Sequence, residues 1–390
     1  MKNVISLPHS AAFRFVLVMG LVNLFADMTY EGGASINGPF LGSLGASAAA
    51  ISIIAGVGEF LGYSLRSVAG YFADRTGKHW PITFIGYSIN LLAVPAMVFA
   101  WNWQVAALLI LAERVGRAIR KPTVESMLSY TTGELGKGWV YGLNTALDET
   151  GATLGPLVMM AVLMSGASYH IGYSLLIIPS LLALISLTGA RIVFPLPSEL
   201  EQGRTAQATG FTKAYWLYMV AAAFFAAGLM SFELISFHLL SSHTVSANSI
   251  PALLSFGTVV SIIASLSLGK LYDRIGLPIV LIAVCLSSLF SPFLFLGGLA
   301  ATFFGIALWG IGYATQDTLL KAIIASVLPE GKRNLAFGLF YNGYAVGWLG
   351  GSIAVGLLYE RSLLLLVTFA VTIQLLSLPF FFMAGRSQKG

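Results

Sequence analysis

Twelve apolar runs, each about as long as a bilayer is thick, follow one another with almost no polar chain between them. A spanning helix needs about 20 mostly apolar residues. The runs lie near 13–40, 47–72, 81–101, 103–122, 138–165 and 170–194, then near 214–240, 249–271, 278–298, 301–327, 334–358 and 362–384. Hydrocarbon forces every backbone polar group to find its partner within the segment, which predicts helices. Charged residues make up 9% of the chain, against the roughly one quarter that a water-facing surface carries. The surface therefore faces lipid, and the chain reads as an all-α membrane protein with twelve transmembrane helices. The longest polar connector, 195–213, separates an N-terminal six-helix bundle (1–194) from a C-terminal one (214–390).

The basic residues orient the spans. With the N-terminus inside, cytoplasmic segments receive Lys2, Arg14, Arg75, Lys78, Arg117, Arg120, Lys121, Lys137, Arg191, Arg204, Lys213, Lys270, Arg274, Lys332, Arg333, Arg386 and Lys389, and outer connectors receive only Arg361. This asymmetry predicts cytoplasmic termini and a cytoplasmic linker. The formal charge of +5 does not point to nucleic acid, because these residues are scattered in short loops. No small-residue cleavage site follows the first run, which reads as a retained helix. Cys285 is the single cysteine and the five histidines lack metal-ligand spacing, so neither disulfide, metal nor cofactor is expected. No P-loop, Gly-x-Ser-x-Gly or His-Glu-x-x-His is present, and the chain does not read as an enzyme.

The halves repeat one another. VGRAIRKP…GKGWVYGLNTALDETGATLGP lies on IGYATQDT…GKRNLAFGLFYNGYAVGWLGGS, placing Gly116 on Gly312, Gly142 on Gly338, Gly151 on Gly347 and Gly155 on Gly351. GYFADRTG at 70–77 lies on GKLYDRIG at 269–276. Gly151 with Gly155, and Gly343 with Gly347 and Gly351, are four apart, a spacing that lets helix backbones approach closely in lipid. These residues resemble the major facilitator superfamily, whose G-x-x-x-D-R-x-G loop stands here as Gly70, Asp74, Arg75 and Gly77, with a weaker copy at Gly269, Asp273, Arg274 and Gly276. The resemblance implies two pseudo-symmetric six-helix bundles rocking about a central site, with Asp74, Arg75, Asp273 and Arg274 at a cytoplasmic gate. Gly151 to Pro156 resembles the family's G-x-x-x-G-P motif of mostly exporting antiporters, although Leu157 to Met160 stand where a glycine pair usually follows. The fourth-helix motif departs further, reading Glu113-Arg114-Val115-Gly116-Arg117.

Ionisable residues inside the runs carry most of the functional signal. Each costs about 2.5–3.5 kcal/mol at a helix centre, so such groups must face one another or a wet cavity. Asp27 and Glu31 share a face of the first helix, and Glu59 and Arg66 share one of the second. The fourth helix adds Glu113 and Arg114, the fifth Asp148 and Glu149, and the seventh Glu233, with His238 toward its outer end. Asp317 and Lys321 have the spacing of an internal ion pair. Asp27, Glu31, Glu59 and Asp148 are the candidates for carrying protons. For Asp27 a permanent pair with Arg66 or Arg114 and a contact to substrate stand beside that reading. Arg66 suits an anionic group of a substrate, because arginine binds carboxylate or phosphate bidentately, or else it partners Glu59 or Asp74. Glu113, Arg114, Asn23, Tyr30 and Glu233 complete the candidate substrate path.

The chain thus reads as a secondary active transporter of a small organic solute in a cell inner membrane. The expected partners are the solute, protons as the coupling ion and membrane lipid, and one chain supplies both halves of the pathway, so a monomer suffices. Proton-coupled export is the first reading, proton-linked or facilitated uptake of a small anion or metabolite the second, and a non-transporting membrane sensor the third.

Overall fold

The computed structural model describes residues 11–131, 137–196, 211–325, 327 and 333–389. Most of the 195–213 linker, together with Lys2, Arg204 and Lys332, lies outside them, as do the side chains of Asp74 and Asp273. Twelve helical segments appear in chain order. The first half holds α1 (Ala11–Ser43), α2 (Ala48–Thr76), α3 (His79–Phe99), α4 (Trp103–Ser129), α5 (Lys137–Met164) and α6 (Tyr169–Val193). The second holds α7 (Lys213–Ser241), α8 (Ile250–Ile275), α9 (Leu277–Leu296), α10 (299–325), α11 (Arg333–Arg361) and α12 (363–389). Among the described residues, nine of these segments can cross a membrane by length and composition alone. α4 falls short on that measure because of the charged residues discussed below.

Side chains start several of these helices. Ser47, Asn102 and Ser168 each accept a hydrogen bond from a backbone N–H of the first turn of α2, α4 and α6. α2 and α8 both end on a glycine of positive φ, Gly77 at 64° and Gly276 at 74°, a region that glycine enters readily. These are the closing glycines of the two G-x-x-x-D-R-x-G loops, but ψ is 5° at Gly77 and −141° at Gly276, so the chain leaves the two helices in different directions.

The same duplication governs packing. α5 lies on α1 with Gly151 against the carbonyl of Leu24 and Gly155 against that of Met28. α11 lies on α7 with Gly347 against the carbonyl of Ala223 and Gly351 against that of Ala227. Gly343 meets only the flexible side chain of Met219. Pro156 sits inside α5, where the helix continues through it.

Two interruptions matter for the centre. α7 breaks at 229–231, and its second piece, Phe232–Ser241, starts with Glu233 in its first turn, where the N-terminal dipole favours a carboxylate. Met230 within the break offers its carbonyl to Trp309 Nε1 at 2.8 Å. α10 carries a π turn, Thr315–Leu319, which directs Gln316 toward α2 and α11.

The halves meet along α2–α11, α5–α8 and α1–α7. Ser52 Oγ donates to the Ser352 carbonyl at 2.6 Å, Ser255 Oγ to the Thr153 carbonyl at 3.0 Å, and Ala49 N–H to Glu360 Oε1 at 3.2 Å. Gly38 and Gly42 of α1 lie against Glu233, Ser236 and Phe237 of α7. These contacts gather at the face away from the termini, where α1 from Tyr30 to Leu41 and α7 from Leu229 to Leu239 are largely buried. Toward the face of the termini, Ser67, Glu125, Asp317 and Lys321 are exposed. Among the described residues, the halves are therefore packed more fully at the face away from the termini than at the face of the termini.

Substituting Gly351→Ala should lower the thermal unfolding temperature of the detergent-solubilised protein, at a cost of about 1–3 kcal/mol, because the new methyl meets backbone. Gly350→Ala meets nothing within 4 Å and should leave it unchanged. Equal effects of the two would contradict the packing described.

Candidate functional site

α4 supplies the framework of the polar centre. Glu113, Arg117 and Arg120 fall on one face at spacings of four and three, with Arg114 beside them. Arg114 reaches Glu59 at 3.2 Å, Glu113 at 3.4 Å and Glu233 at 3.4 Å. Arg117 reaches Glu59 at 3.6 Å, Glu113 at 3.7 Å and Glu31 at 4.0 Å. Arg120 lies 4.0 Å from Asp27. The network draws on α1, α2 and α4 of the first half and on α7 of the second, so Arg114–Glu233 ties the halves together. Its members keep different access to water. Glu31 and Glu59 retain 26% and 21% of their side-chain surface, Glu113 and Glu233 only 8% and 6%.

A neutral layer holds the deepest charges in place. Arg120 donates to Asn90 Oδ1 at 3.2 Å and to Asn23 Oδ1 at 3.4 Å, and lies 4.5 Å over the Tyr87 ring. Asn90 Nδ2 donates to Glu113 Oε1 at 2.8 Å, which links Arg120 to the central carboxylates. Asn23 is fixed by Tyr87 and by Asn144 of α5 at 2.8 Å. Arg117 sits 4.7 Å over the Tyr30 ring. A small cavity beside the network is lined by Tyr30, Asn37, Glu113 and Arg114, among others.

Several sequence expectations need correction. Arg117, Arg120 and Lys121 belong to no connector. α4 runs on through Pro122 to Ser129, and Arg120 is almost wholly buried. Carboxylates of neighbouring helices supply what water would have. Asp27 faces Arg120, not Arg66 or Arg114. Glu59 shares a face of α2 with Arg66 but pairs with Arg114 and Arg117. Asn23 points into the packed interior of the first half, away from any path between halves.

The remaining candidates are placed as follows. Arg66 is half-buried, 4.7 Å over the Tyr63 ring, and pairs with no carboxylate among the described residues. Asp148 and Glu149 are both half-buried on α5. Asp317 and Lys321 pair at 3.4 Å and are about half exposed. His238 bonds Tyr359 at 3.1 Å within the second half. Of the loop residues, Gly70 is half-buried, Arg75 is exposed and donates to the Tyr71 hydroxyl, and Arg274 is exposed. The described residues contain no group of His, Cys, Asp and Glu suited to a metal. Sequence reasoning missed Asn90, Tyr87, Asn144 and Gln316, as well as Arg117 and Arg120. The 113, 117, 120 spacing was the signal for the two arginines; single polar residues in apolar runs gave none for the others.

Arg120→Gln should lower folding stability by about 3–5 kcal/mol, because it strands the Asp27 carboxylate in an apolar interior. Adding Asp27→Asn should recover much of that loss in thermal unfolding. A double variant no more stable than Arg120→Gln would show that the two side chains are not coupled.

The comparisons agree with this architecture. The Major Facilitator Superfamily profile matches residues 16–352. An uncharacterized protein of Mycobacterium tuberculosis is 32% identical over 383 residues, 96% of this chain and 94% of its own. An uncharacterized MFS-type transporter of Methanocaldococcus jannaschii is 25% identical over 361 residues, 89% of each chain. Among solved structures, the peptide transporter POT in complex with sulfate has a TM-score of 0.77 at 13% identity, over 96% of this chain and 95% of that one. A bacterial homolog of the human lysosomal transporter Spinster, inward-facing and unoccupied, has a TM-score of 0.71 at 15% identity, over 97% and 98%. The protein is an integral membrane transporter and belongs to the Major Facilitator Superfamily.

Proposed function

We propose that this protein is a proton-coupled antiporter that exports a small organic solute by alternating access, as a monomer in the cell inner membrane with both termini cytoplasmic. One observation carries the reading. Five carboxylates (Asp27, Glu31, Glu59, Glu113 and Glu233) share three guanidiniums (Arg114, Arg117 and Arg120). Fully ionised, the cluster carries two negative charges that no described side chain within it balances. An uncompensated charge in hydrocarbon is costly. The cluster must therefore hold protons, or take a positive group from the solute in their place.

That exchange is antiport chemistry. A solute group entering from the face of the termini and settling on Glu31 or Glu59 displaces protons, and protons returning to those carboxylates displace the solute. Glu31 and Glu59 exchange with that face because they keep surface exposed. Asp27 and Glu113 follow through Arg120 and Asn90, since the charge on each sets how strongly the shared arginines hold the rest. The Arg114–Glu233 contact reports the same charge to the second half, where the broken α7 can shift on its short hinge. Alternating access in this fold is a rocking of one bundle against the other about a fixed central site.

In inverted membrane vesicles with an acidified interior, a transported solute should accumulate inside and its addition should release luminal protons, read with a pH-sensitive dye. Glu31→Gln combined with Asp27→Asn should abolish that proton release while facilitated exchange of the solute persists. Unchanged rate and unchanged pH dependence in the double variant would contradict the proposal.

A further inference from the structure

Arg66 is a charged side chain that the network leaves out. It lies on the same face of α2 as Glu59, two helical turns nearer the face of the termini, a rise of about 10 Å. Seven residues at 3.6 per turn return to nearly the same azimuth, so both side chains address the space between the halves. No carboxylate pairs with Arg66 among the described residues, and its buried Nε finds no hydrogen-bond partner. Asp317 on α10 pairs with Lys321 at 3.4 Å and not with Arg66.

The surface between these two points is built for a less polar stem. Tyr63 stacks on Tyr341 of α11 with ring centroids 5.3 Å apart and planes inclined by 6°. Its hydroxyl accepts from Gln316 Nε2 at 2.8 Å, and Gln316 in turn accepts from Tyr344 at 2.6 Å. These bonds use up the polar edges of the wall, whose Tyr63, Gln316 and Tyr344 are themselves almost wholly buried, so the half-buried Tyr341 is its accessible aromatic member.

We propose that Arg66 and the Glu31–Glu59 carboxylates are the two ends of one binding site for an extended zwitterion, with its carboxylate or phosphate on Arg66 and its ammonium on the acid-rich cluster. The ammonium end rests on the proton-coupled reading above; the anionic end does not. Arginine supplies a fork that matches a carboxylate or phosphate, and the excess of carboxylates supplies the cation site. Spacing sets the size of the solute. An α-amino acid is short beside the rise of about 10 Å from Glu59 to Arg66 along α2, whereas a chain with its charges about that far apart matches it.

Calorimetric titration of the full-length protein in nanodiscs tests this with three probes of matched length: 8-aminooctanoate, 1,8-diaminooctane and octanedioate, with glycine as the short zwitterion. The wild type should bind 8-aminooctanoate more tightly than the other three. Arg66→Gln should weaken 8-aminooctanoate by about ten- to a hundredfold and leave the diamine unchanged. Arg66→Glu should reverse the preference in favour of the diamine, and circular dichroism with gel filtration checks that each variant is folded. The proposal is overturned if the diamine binds the wild type as tightly as the zwitterion, if Arg66→Gln leaves zwitterion binding intact, or if no probe binds the wild type. Repeating the titrations in buffers of different ionisation heat counts the protons released. Binding that depends on Arg66 without proton release refutes the antiport reading alone; proton release on diamine binding with no dependence on Arg66 refutes the zwitterion site alone.

Discussion

Everything at the centre of this protein depends on Arg114 being shared. Its guanidinium touches carboxylates of α2, α4 and α7 at once, and only the last belongs to the second half. A buried guanidinium is tolerable only with such company, because breaking a buried pair costs several kcal/mol. The arginine therefore holds the halves in register while the number of its charged partners remains adjustable. In the proposed cycle, each proton that lands on Glu59, Glu113 or Glu233 weakens one contact and strengthens the claim of the others.

The frame around it is stiff where it must be and broken where it can afford to be. Small residues bring α5 onto α1 and α11 onto α7 at backbone distance, so each half is packed as a block. α7 is interrupted beside Glu233 and α10 is underwound into a π turn beside Gln316, and both interruptions face the first half. The repeat supplies two equivalent scaffolds, and the departures from symmetry mark where charge is added. Arg117 and Arg120 have no basic counterpart at the matching positions of the second half, which offers Tyr313 and Gln316 instead. The acid and base chemistry is concentrated in the first half, and the second contributes Glu233 and an aromatic wall.

Much of this was legible in the sequence, for physical reasons. Hydrocarbon tolerates so few backbone arrangements that twelve apolar runs translate directly into twelve helices, and Asp27, Glu31, Glu59, Glu113, Arg114 and Glu233 stood out because each is costly there. The identity of the pairs was not legible. Arg117, Arg120 and Lys121 next to Pro122 look like the basic end of a span, because the sequence does not show that carboxylates from α1 and α2 wait at that depth. The break in α7 falls on Leu229 and Met230, apolar residues that leave no mark in a hydropathy pattern. Asn23 and Asn90 gave no direction, since an asparagine in an apolar run can face a path or a buried arginine, and only tertiary packing decides.

Infrared difference spectroscopy of the protein in lipid at neutral pH measures the central claim most directly, because protonated and ionised carboxyl groups absorb apart. The charge count predicts that the resting protein shows neutral carboxyl absorption that is lost in Glu31→Gln combined with Glu59→Gln. A spectrum with every carboxyl ionised at neutral pH, in wild type and variant alike, would mean that the cluster tolerates its excess negative charge, and proton exchange at this site would have no basis.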